Sequence, residues 1–363
     1  MKIRKLFMLA GLALFALAGH AAAQSPAPAN PPAPKALPMP SLSQASALCR
    51  EPTTNPNLRI AACDVVIQLN QKQVTPENLA IAYSSRCAAY QAAGQYDAAN
   101  ADCDQAIKLD PNNADTFTTR CDVLDNKGLY DDALKDCDRA TKLDPNYATA
   151  FYNRGLVHDN KQEFDAAIAD YSQAIALYAD FSRAYFRRGD DYIAKDMPDN
   201  AIHDLIQAVR LDPGNGDALI DIGNAYDNKG QREYAIIAYS GALATYHDDP
   251  ATLNNRCFDR AVVGQLQLAL LDCNESLKIR PGDGNTLDSR GFVYLRLRQP
   301  DAAIADYDAA LKDNPERVSS LYGRGLAKRL KNDKAGADAD IAAARNLDPD
   351  IDNVFAAWGV KGG

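Results

Sequence analysis

The chain has 363 residues, a formal net charge of −9 and a hydrophobic fraction of 47%. The chain is acidic and has no block of basic residues of the kind that binds nucleic acid or anionic lipid, so neither is expected as a partner. Wherever charge governs binding, the expected partner is cationic.

The first 23 residues have the pattern of a secretory signal peptide. Lys2, Arg4 and Lys5 precede an apolar run from Leu6 to Ala18, and small residues follow at Ala21 to Ala23. This run is too short to cross a bilayer, and no later segment approaches the required length, so no membrane span is expected. We expect cleavage after Ala23 and export to the periplasm, with secretion from the cell as the alternative. The mature net charge would be −12, since 36 Lys and Arg then face 48 Asp and Glu.

Two short segments separate the signal peptide from the main body of the chain. Residues 24–41 are dominated by Pro and Ala, which favours an extended linker. Residues 42–79 contain a degenerate copy of the second half of the repeat described below, preceded by a shortened first half. We interpret them as an N-terminal capping half-repeat, because terminal repeats are usually atypical. Thr75 and Pro76 then provide a helix start for the first full unit.

Residues 80–351 consist of a 34-residue unit that is repeated eight times without insertion or deletion. We number the positions of each unit from 1 to 34, starting at Ala80 in the first unit. Repetition at a fixed period of this size indicates a stacked repeat array. Position 20 is Ala in every unit: Ala99, Ala133, Ala167, Ala201, Ala235, Ala269, Ala303 and Ala337.

Each unit has the pattern of two helices joined by a turn. Positions 4, 8 and 11 have the spacing of one helical face, and positions 20, 24, 27 and 28 have that of a second. Six of the units end with a Pro, which stops a helix. After the last unit, residues 352–363 are interpreted as a C-terminal cap and tail, with a short helix expected from Ile351 to Trp358. The sequence therefore predicts an all-α array of helical hairpins.

This pattern resembles the tetratricopeptide repeat (TPR) family, whose signature has aromatic residues at positions 4 and 24, Gly at 8 and Ala at 20. The third unit shows Phe151, Gly155, Ala167 and Tyr171 at these positions. The resemblance covers residues 80–351. With its paired cysteines, described next, the chain resembles exported bacterial members of the family. The resemblance implies a right-handed α-solenoid of eight hairpins with a degenerate N-terminal cap and a short C-terminal capping helix. The sequence departs from the signature at position 7, which is Arg in seven units, and at position 24, where Cys occurs in three.

Cysteines occupy positions 8 and 24 together in three units and neither position in the other five. The two positions face each other in an antiparallel hairpin, and Gly at position 8 of the other units indicates that the helices approach to disulfide distance there. In an exported chain we expect these pairs to be oxidised. The alternative is reduced cysteines packed as small core residues. The expected disulfides are Cys87 with Cys103, Cys121 with Cys137, Cys257 with Cys273 and, in the cap, Cys49 with Cys63.

An Arg at position 7 is accompanied by an Asp at position 23 in seven units, and the fifth unit replaces both, with Ile222 and Ala238. A ladder of charges for ligand binding is one interpretation, and an ion pair repeated for stability is the other. Joint loss in one unit favours the structural ion pair. The pairs are Arg86 with Asp102, Arg120 with Asp136, Arg154 with Asp170, Arg188 with Asp204, Arg256 with Asp272, Arg290 with Asp306 and Arg324 with Asp340.

The TPR resemblance also implies a binding surface, because the concave face of such arrays is lined by the first helix of each unit. Members of the family that bind a C-terminal carboxylate use Lys and Arg there, whereas this face is rich in Asp and Asn. A basic or amide-rich extended segment is therefore the expected partner, and the alternative is a solvated surface that keeps the array soluble. The candidate binding residues are Asp122, Asp125, Tyr152, Asn153, Asp159, Arg187, Asp190, Asp221, Asn224 and Asp227.

These features together predict an exported scaffold or adaptor that binds other proteins. The chain has no nucleophile motif, phosphate-binding Gly loop, H-E-x-x-H or C-x-x-C, so we expect no enzyme activity, no cofactor and no metal site. Two other functions stay open. One is a structural role in an envelope assembly, and the other is binding of a small cationic or glycan ligand.

Overall fold

The computed structural model describes residues 41–68 and 74–360. The predicted signal peptide, residues 24–40 of the linker, residues 69–73 of the N-terminal cap and residues 361–363 of the tail lie outside the described residues. No helix in the described ranges combines the length and the apolar character that crossing a bilayer requires. The helices in these ranges are α1 Leu42–Arg50, α2 Pro56–Gln68, α3 Pro76–Ala92, α4 Tyr96–Leu109, α5 Ala114–Asn126, α6 Tyr130–Leu143, α7 Ala148–Asn160, α8 Phe164–Leu177, α9 Ser182–Ala194, α10 Pro198–Leu211, α11 Gly216–Asn228, α12 Arg232–Thr245, α13 Pro250–Val262, α14 Leu266–Ile279, α15 Gly284–Arg296, α16 Pro300–Asp313, α17 Val318–Leu330, α18 Lys334–Leu347 and α19 Ile351–Ala357.

Each 34-residue unit forms a hairpin of two helices, so the predicted all-α solenoid of eight hairpins is confirmed. The first helices are α3 and every second helix up to α17, and the second helices are α4 and every second helix up to α18. The first unit begins as predicted, with the Thr75 side chain accepting a hydrogen bond from the backbone N–H of Asn78 and Pro76 in the first turn.

The two rows of helices pack differently from unit to unit. First helices contact the next first helix in most units, as α3 does with α5 and α5 with α7. The second helices of successive units make no comparable contact within the described residues. The first helices therefore form the inner, more closely spaced row of the solenoid, which is the concave side.

Positions 8 and 24 are where the two helices of a unit come closest. A Cβ atom added to Gly155 would lie 2.6 Å from Cε1 of Tyr171, so the ring on the second helix fills the space that Gly leaves on the first. Where both positions are Cys, the two Cα atoms are 5.4 to 5.5 Å apart and a disulfide fills the same space. The cap contains a fourth disulfide, Cys49 to Cys63, between α1 and α2. The predicted pairing of cysteines is therefore confirmed.

The C-terminal segment covers more than the end of the array. Helix α19 packs against α17 and α18 and buries Ile351 and Phe355, as expected of a cap. Beyond it, the ring of Trp358 lies 4.9 Å from that of Phe258 and 5.7 Å from that of Phe292. Both Phe residues are at position 9 of first helices, so the segment also covers the inner row of the sixth and seventh units. The sequence analysis did not anticipate this second contact.

All seven Arg side chains at position 7 bind the Asp at position 23 of their own unit. The Arg Nε donates to Oδ2 and Nη2 donates to Oδ1, at 2.6 to 2.9 Å. The Asp side chains are nearly buried and the Arg side chains are partly exposed. Two parallel hydrogen bonds between charged groups give the pair a defined geometry across the hairpin.

The same Arg residues also join successive units, which was not predicted. From the second unit on, Nη1 donates to the side chain at position 25 of the preceding unit: Asp104, Asp138, Ser172, Ser240, Asn274 or Asp308. Arg86 reaches Asp64 of the cap. The fifth unit lacks the Arg, and position 25 of the fourth unit is Ile206. The acceptor at position 25 is therefore the sequence signal of this link, and it is lost together with the ion pair.

Alkylation under denaturing conditions is expected to label no thiol before reduction and eight after it, because all eight cysteines are in disulfides. Mass spectrometry of the alkylated protein measures this. Replacing both Cys121 and Cys137 by Ala is expected to lower the free energy of unfolding by about 3 kcal/mol, the value for a closed loop of about 15 residues. Free thiols at positions 8 and 24 would contradict the helix pairing described above.

Arg154→Met is expected to lower the free energy of unfolding by about 3 kcal/mol, because it leaves the carboxylate of Asp170 buried without its partner. Adding Asp170→Leu is expected to restore most of this loss, since the fifth unit carries an apolar pair at the same positions. Urea denaturation of both variants tests this. Equal losses in the single and the double variant would show that the pair is not a coupled structural contact.

Candidate functional site

The candidate binding residues lie on four successive first helices of the inner row. Asp122 and Asp125 are on α5, Tyr152, Asn153 and Asp159 on α7, Arg187 and Asp190 on α9, and Asp221, Asn224 and Asp227 on α11. Because these helices stand side by side, their polar positions form one strip across units two to five. We call Asp122, Asp125, Asp159, Asp190 and Asp221 the acidic groove.

The N-terminal part of the acidic groove is held by amide side chains. Gln91 donates to Oδ2 of Asp122, and Nδ2 of Asn160 lies 2.9 Å from both carboxylate oxygens of Asp125. The pKa values of Asp122 and Asp125 are nevertheless raised, chiefly by burial and further by a neighbouring carboxylate. The amide donors therefore offset only part of the cost of holding negative charge here.

The centre of the groove brings carboxyl groups together without full neutralisation. Burial raises the pKa of Asp190 to about 7, and the charge of Asp221 adds to this. Burial, and then Asp217, raises the pKa of Asp221 to about 6. Arg187 Nη1 lies 3.7 Å from Asp190 Oδ2, but the pKa of Asp190 rises despite it. Burial and the like charges thus outweigh Arg187.

Asp191, next to this centre, was missed by the sequence analysis. Its side chain is 1% exposed, and neither carboxylate oxygen meets a hydrogen-bond donor among the described residues. The buried hydroxyl of Tyr171 is likewise without a partner there. Burial, followed by Asp159, raises the pKa of Asp191 to about 8. The available signal was an Asp at position 10, which is not among the concave positions that the family resemblance suggests.

The C-terminal part of the strip is engaged in contacts within the chain. Tyr239 donates from its hydroxyl to Oδ1 of Asn224 at 2.8 Å. Arg232 donates from Nη1 to Oδ1 of both Asp227 and Asp259. These two candidates therefore have partners already, unlike Asp191.

Tyr152 and Asn153 make contacts with neighbouring parts of the array. The Tyr152 side chain is only 8% exposed, with its ring 5.7 Å from that of Tyr171 and 4.8 Å from that of Phe181. Asn153 Nδ2 donates to the backbone carbonyl of Thr118 at 3.3 Å. The ring of Tyr152 is thus part of the core, and its role in binding stays a prediction.

The groove is an acceptor surface on the concave side. Its carboxyl groups accept hydrogen bonds, and a positive group placed between them would reduce their mutual repulsion. Within residues 41–68 and 74–360, no group of three or more His, Cys, Asp or Glu side chains is arranged to hold a metal ion. Strongly perturbed carboxylates in a concave surface are typical of functional sites.

Asp191→Val is expected to make the protein less sensitive to pH between about 5 and 8. The folded chain holds the Asp191 proton up to about pH 8, whereas the unfolded chain releases it near the ordinary Asp pKa of 3.8. The unfolded state therefore binds fewer protons in this window, so the stability of the wild type falls as pH rises. The decrease in the free energy of unfolding across this pH range should be smaller in the variant by on the order of 2 kcal/mol.

Urea denaturation at both ends of this pH range measures the effect. Asp159, Tyr171, Arg187 and Asp190 face Asp191 and are retained in the variant. Asp199→Val is the control, because Asp199 is on the exposed side of α10 with 82% of its side chain accessible. Parallel pH curves for the wild type and Asp191→Val would contradict the assignment.

Comparisons with known proteins agree with this architecture. Sequence profiles described as tetratricopeptide repeat match residues 88–113, 119–185, 186–250 and 290–350, which together exceed half of the chain. A search of curated protein sequences finds no match.

Among solved structures, PilF of Pseudomonas aeruginosa is similar in fold, with a TM-score of 0.52, 16% identity and coverage of 58% of this chain and 96% of its own. MamA has 29% identity, a TM-score of 0.42 and coverage of 44% and 94%. YrrB, a TPR protein with an unusual peptide-binding site, has 21% identity, a TM-score of 0.49 and coverage of 52% and 97%. The repeat period, the hairpin packing and the profile matches lead to one conclusion: the chain belongs to the tetratricopeptide repeat family.

Proposed function

We propose that this protein is an exported scaffold that binds an extended, basic segment of a partner protein in the acidic groove. The observation that carries the proposal is the pair Asp190 and Asp221, which are half-buried and have raised pKa values although Arg187 lies nearby. A Lys or Arg side chain of a partner would restore the charge balance that the chain itself does not provide. The binding energy would come from pairing carboxylates whose ionised form is disfavoured in the free protein.

The proposed binding surface extends only as far as carboxylates that are not already paired within the chain. Towards the C-terminus, Asp227 is bound to Arg232, and Trp358 covers Phe258 and Phe292 on the inner row. Towards the N-terminus, Asp122 and Asp125 are exposed enough to accept further donors. A segment bound across the first helices of units two to five would therefore be in contact with most of the acidic groove.

Export is supported by two independent features. The N-terminal pattern is that of a secretory signal, and four disulfides in a chain of this kind require an oxidising compartment to persist. A binding role without catalysis is supported by the family, since repeat arrays present extended concave surfaces for other proteins. The chemistry of the groove, and not the fold, decides which segment is bound.

The test uses a labelled peptide of alternating Gly and Lys and a matched peptide of alternating Gly and Glu. Fluorescence anisotropy is expected to show binding of the Lys peptide and none of the Glu peptide. The variant Asp122→Asn, Asp190→Asn, Asp221→Asn should weaken binding of the Lys peptide by about tenfold or more, because it removes three charges from the groove.

The matched control removes three charges elsewhere. Asp131, Asp165 and Asp199 are at position 18 on the second helices, with 82 to 89% of their side chains exposed. Changing these three to Asn is expected to leave the affinity nearly unchanged. Equal weakening in both triple variants would mean that net charge alone attracts the peptide, and the groove would lose its assigned role.

A further inference from the structure

Position 10 of the first helices is a core position with two exceptions. It is Ala or Val in six units, and each of these side chains is at most 4% exposed: Ala89, Val123, Val157, Ala225, Val293 and Ala327. In the fourth and sixth units it is Asp191 and Asp259, each 1% exposed. A carboxyl group at a buried apolar position is costly, so its neighbours decide whether it is tolerated.

The two exceptions have matching neighbours in the preceding unit. Asp191 follows Asp159 at position 12 and Tyr171 at position 24, and Asp259 follows Asp227 and Tyr239 at the same two positions. Position 10 is Asp only in the two units that are preceded by this combination. The chain therefore contains two copies of one three-residue arrangement, the first in units three and four and the second in units five and six.

The second copy has a cationic side chain at position 17 that the first copy lacks. In the second copy, position 17 is Arg232, and its Nη1 donates to Oδ1 of both Asp227 and Asp259. Tyr239 in that copy donates to Asn224. In the first copy, position 17 is Phe164 and the residue that corresponds to Asn224 is Leu156.

The first copy consequently lacks a cationic donor at this place. Both oxygens of Asp191 and the hydroxyl of Tyr171 are buried and meet no hydrogen-bond partner among the described residues. Arg187 is near enough for its charge to oppose the rise in the pKa of Asp191, but its ion pair is with Asp190, and 44% of its side chain is exposed. Asp159 and Asp190 are only partly buried, so the arrangement connects to the acidic groove at one end.

We propose that Asp159, Asp191 and Tyr171 form a recognition site for one arginine side chain of the bound segment, whose guanidinium group takes the place that Arg232 has in the second copy. This inference rests on the proposed function and narrows it from a basic segment to one with an Arg at a defined point. A guanidinium offers five donors in a plane, which suits two carboxylates and a hydroxyl arranged around it. An ammonium group is a compact, strongly hydrated charge and is less able to satisfy all of them.

The test compares two labelled peptides that differ in one residue: the alternating Gly and Lys peptide, and the same peptide with its central Lys replaced by Arg. The wild type is expected to bind the Arg peptide about tenfold more tightly, the effect of one additional hydrogen bond between charged groups. Equal affinity for both peptides would overturn the inference and leave the proposed function intact. Binding of neither peptide would overturn both.

Two variants test whether the preference for the Arg peptide arises at Asp159, Asp191 and Tyr171. Asp191→Val installs the residue that α5 and α7 carry at position 10, and Phe164→Arg installs the internal guanidinium that the second copy has. Both are expected to bind the Arg peptide and the Lys peptide with equal affinity. An Arg preference that persists in either variant would overturn the inference.

Circular dichroism keeps the result interpretable, since both variants should retain the helical signal and a cooperative thermal transition. Because each variant copies a residue already present at the equivalent place of another unit, failure of both to fold is not expected. Asp259→Val serves as the contrasting change. It removes the carboxylate that Arg232 already binds, so the Arg preference should remain.

Discussion

The architecture depends on one repeated contact, the guanidinium of Arg at position 7 where three helices meet. Two of its nitrogens bind the nearly buried Asp at position 23 of the same hairpin, and the third reaches the second helix of the preceding unit. One residue therefore sets both the pairing within a unit and the stacking between units. A Lys could not do this, because the contact needs several donors held in a fixed plane.

The fifth unit shows how the array continues without this contact. Ile222, Ala238 and Ile206 replace the three polar partners together, so that junction is apolar. On the other side of the same unit, Arg232 joins Asp227 to Asp259 and thereby ties the fifth unit to the sixth. The interruption of the repeated ion pair thus lies beside the acidic groove and next to a different, locally built cation site.

The acidic groove and the neighbouring Asp191 contain carboxyl groups whose ionisation the fold disfavours. Asp190, Asp191 and Asp221 have raised pKa values because burial and like charges disfavour their ionised forms. A chain gains nothing in stability from such an arrangement, which is why clusters of this kind are associated with function. The disulfides and the position-7 ion pairs provide rigidity on both sides of the groove, which favours a preorganised surface.

Local and periodic features of this protein were readable from the sequence alone. The 34-residue period determined the hairpins. The joint presence or absence of Cys at positions 8 and 24 determined the cysteine pairing, because two positions that face each other in one hairpin face each other in every unit. What depended on several units at once was decided only by the tertiary structure. Whether Asp191 meets a donor depends on residues from neighbouring units, and the place of Trp358 depends on how far the last segment folds back over the inner row. Periodicity says which residues are equivalent, whereas burial and charge balance arise from the particular side chains that meet, and these differ between otherwise equivalent units.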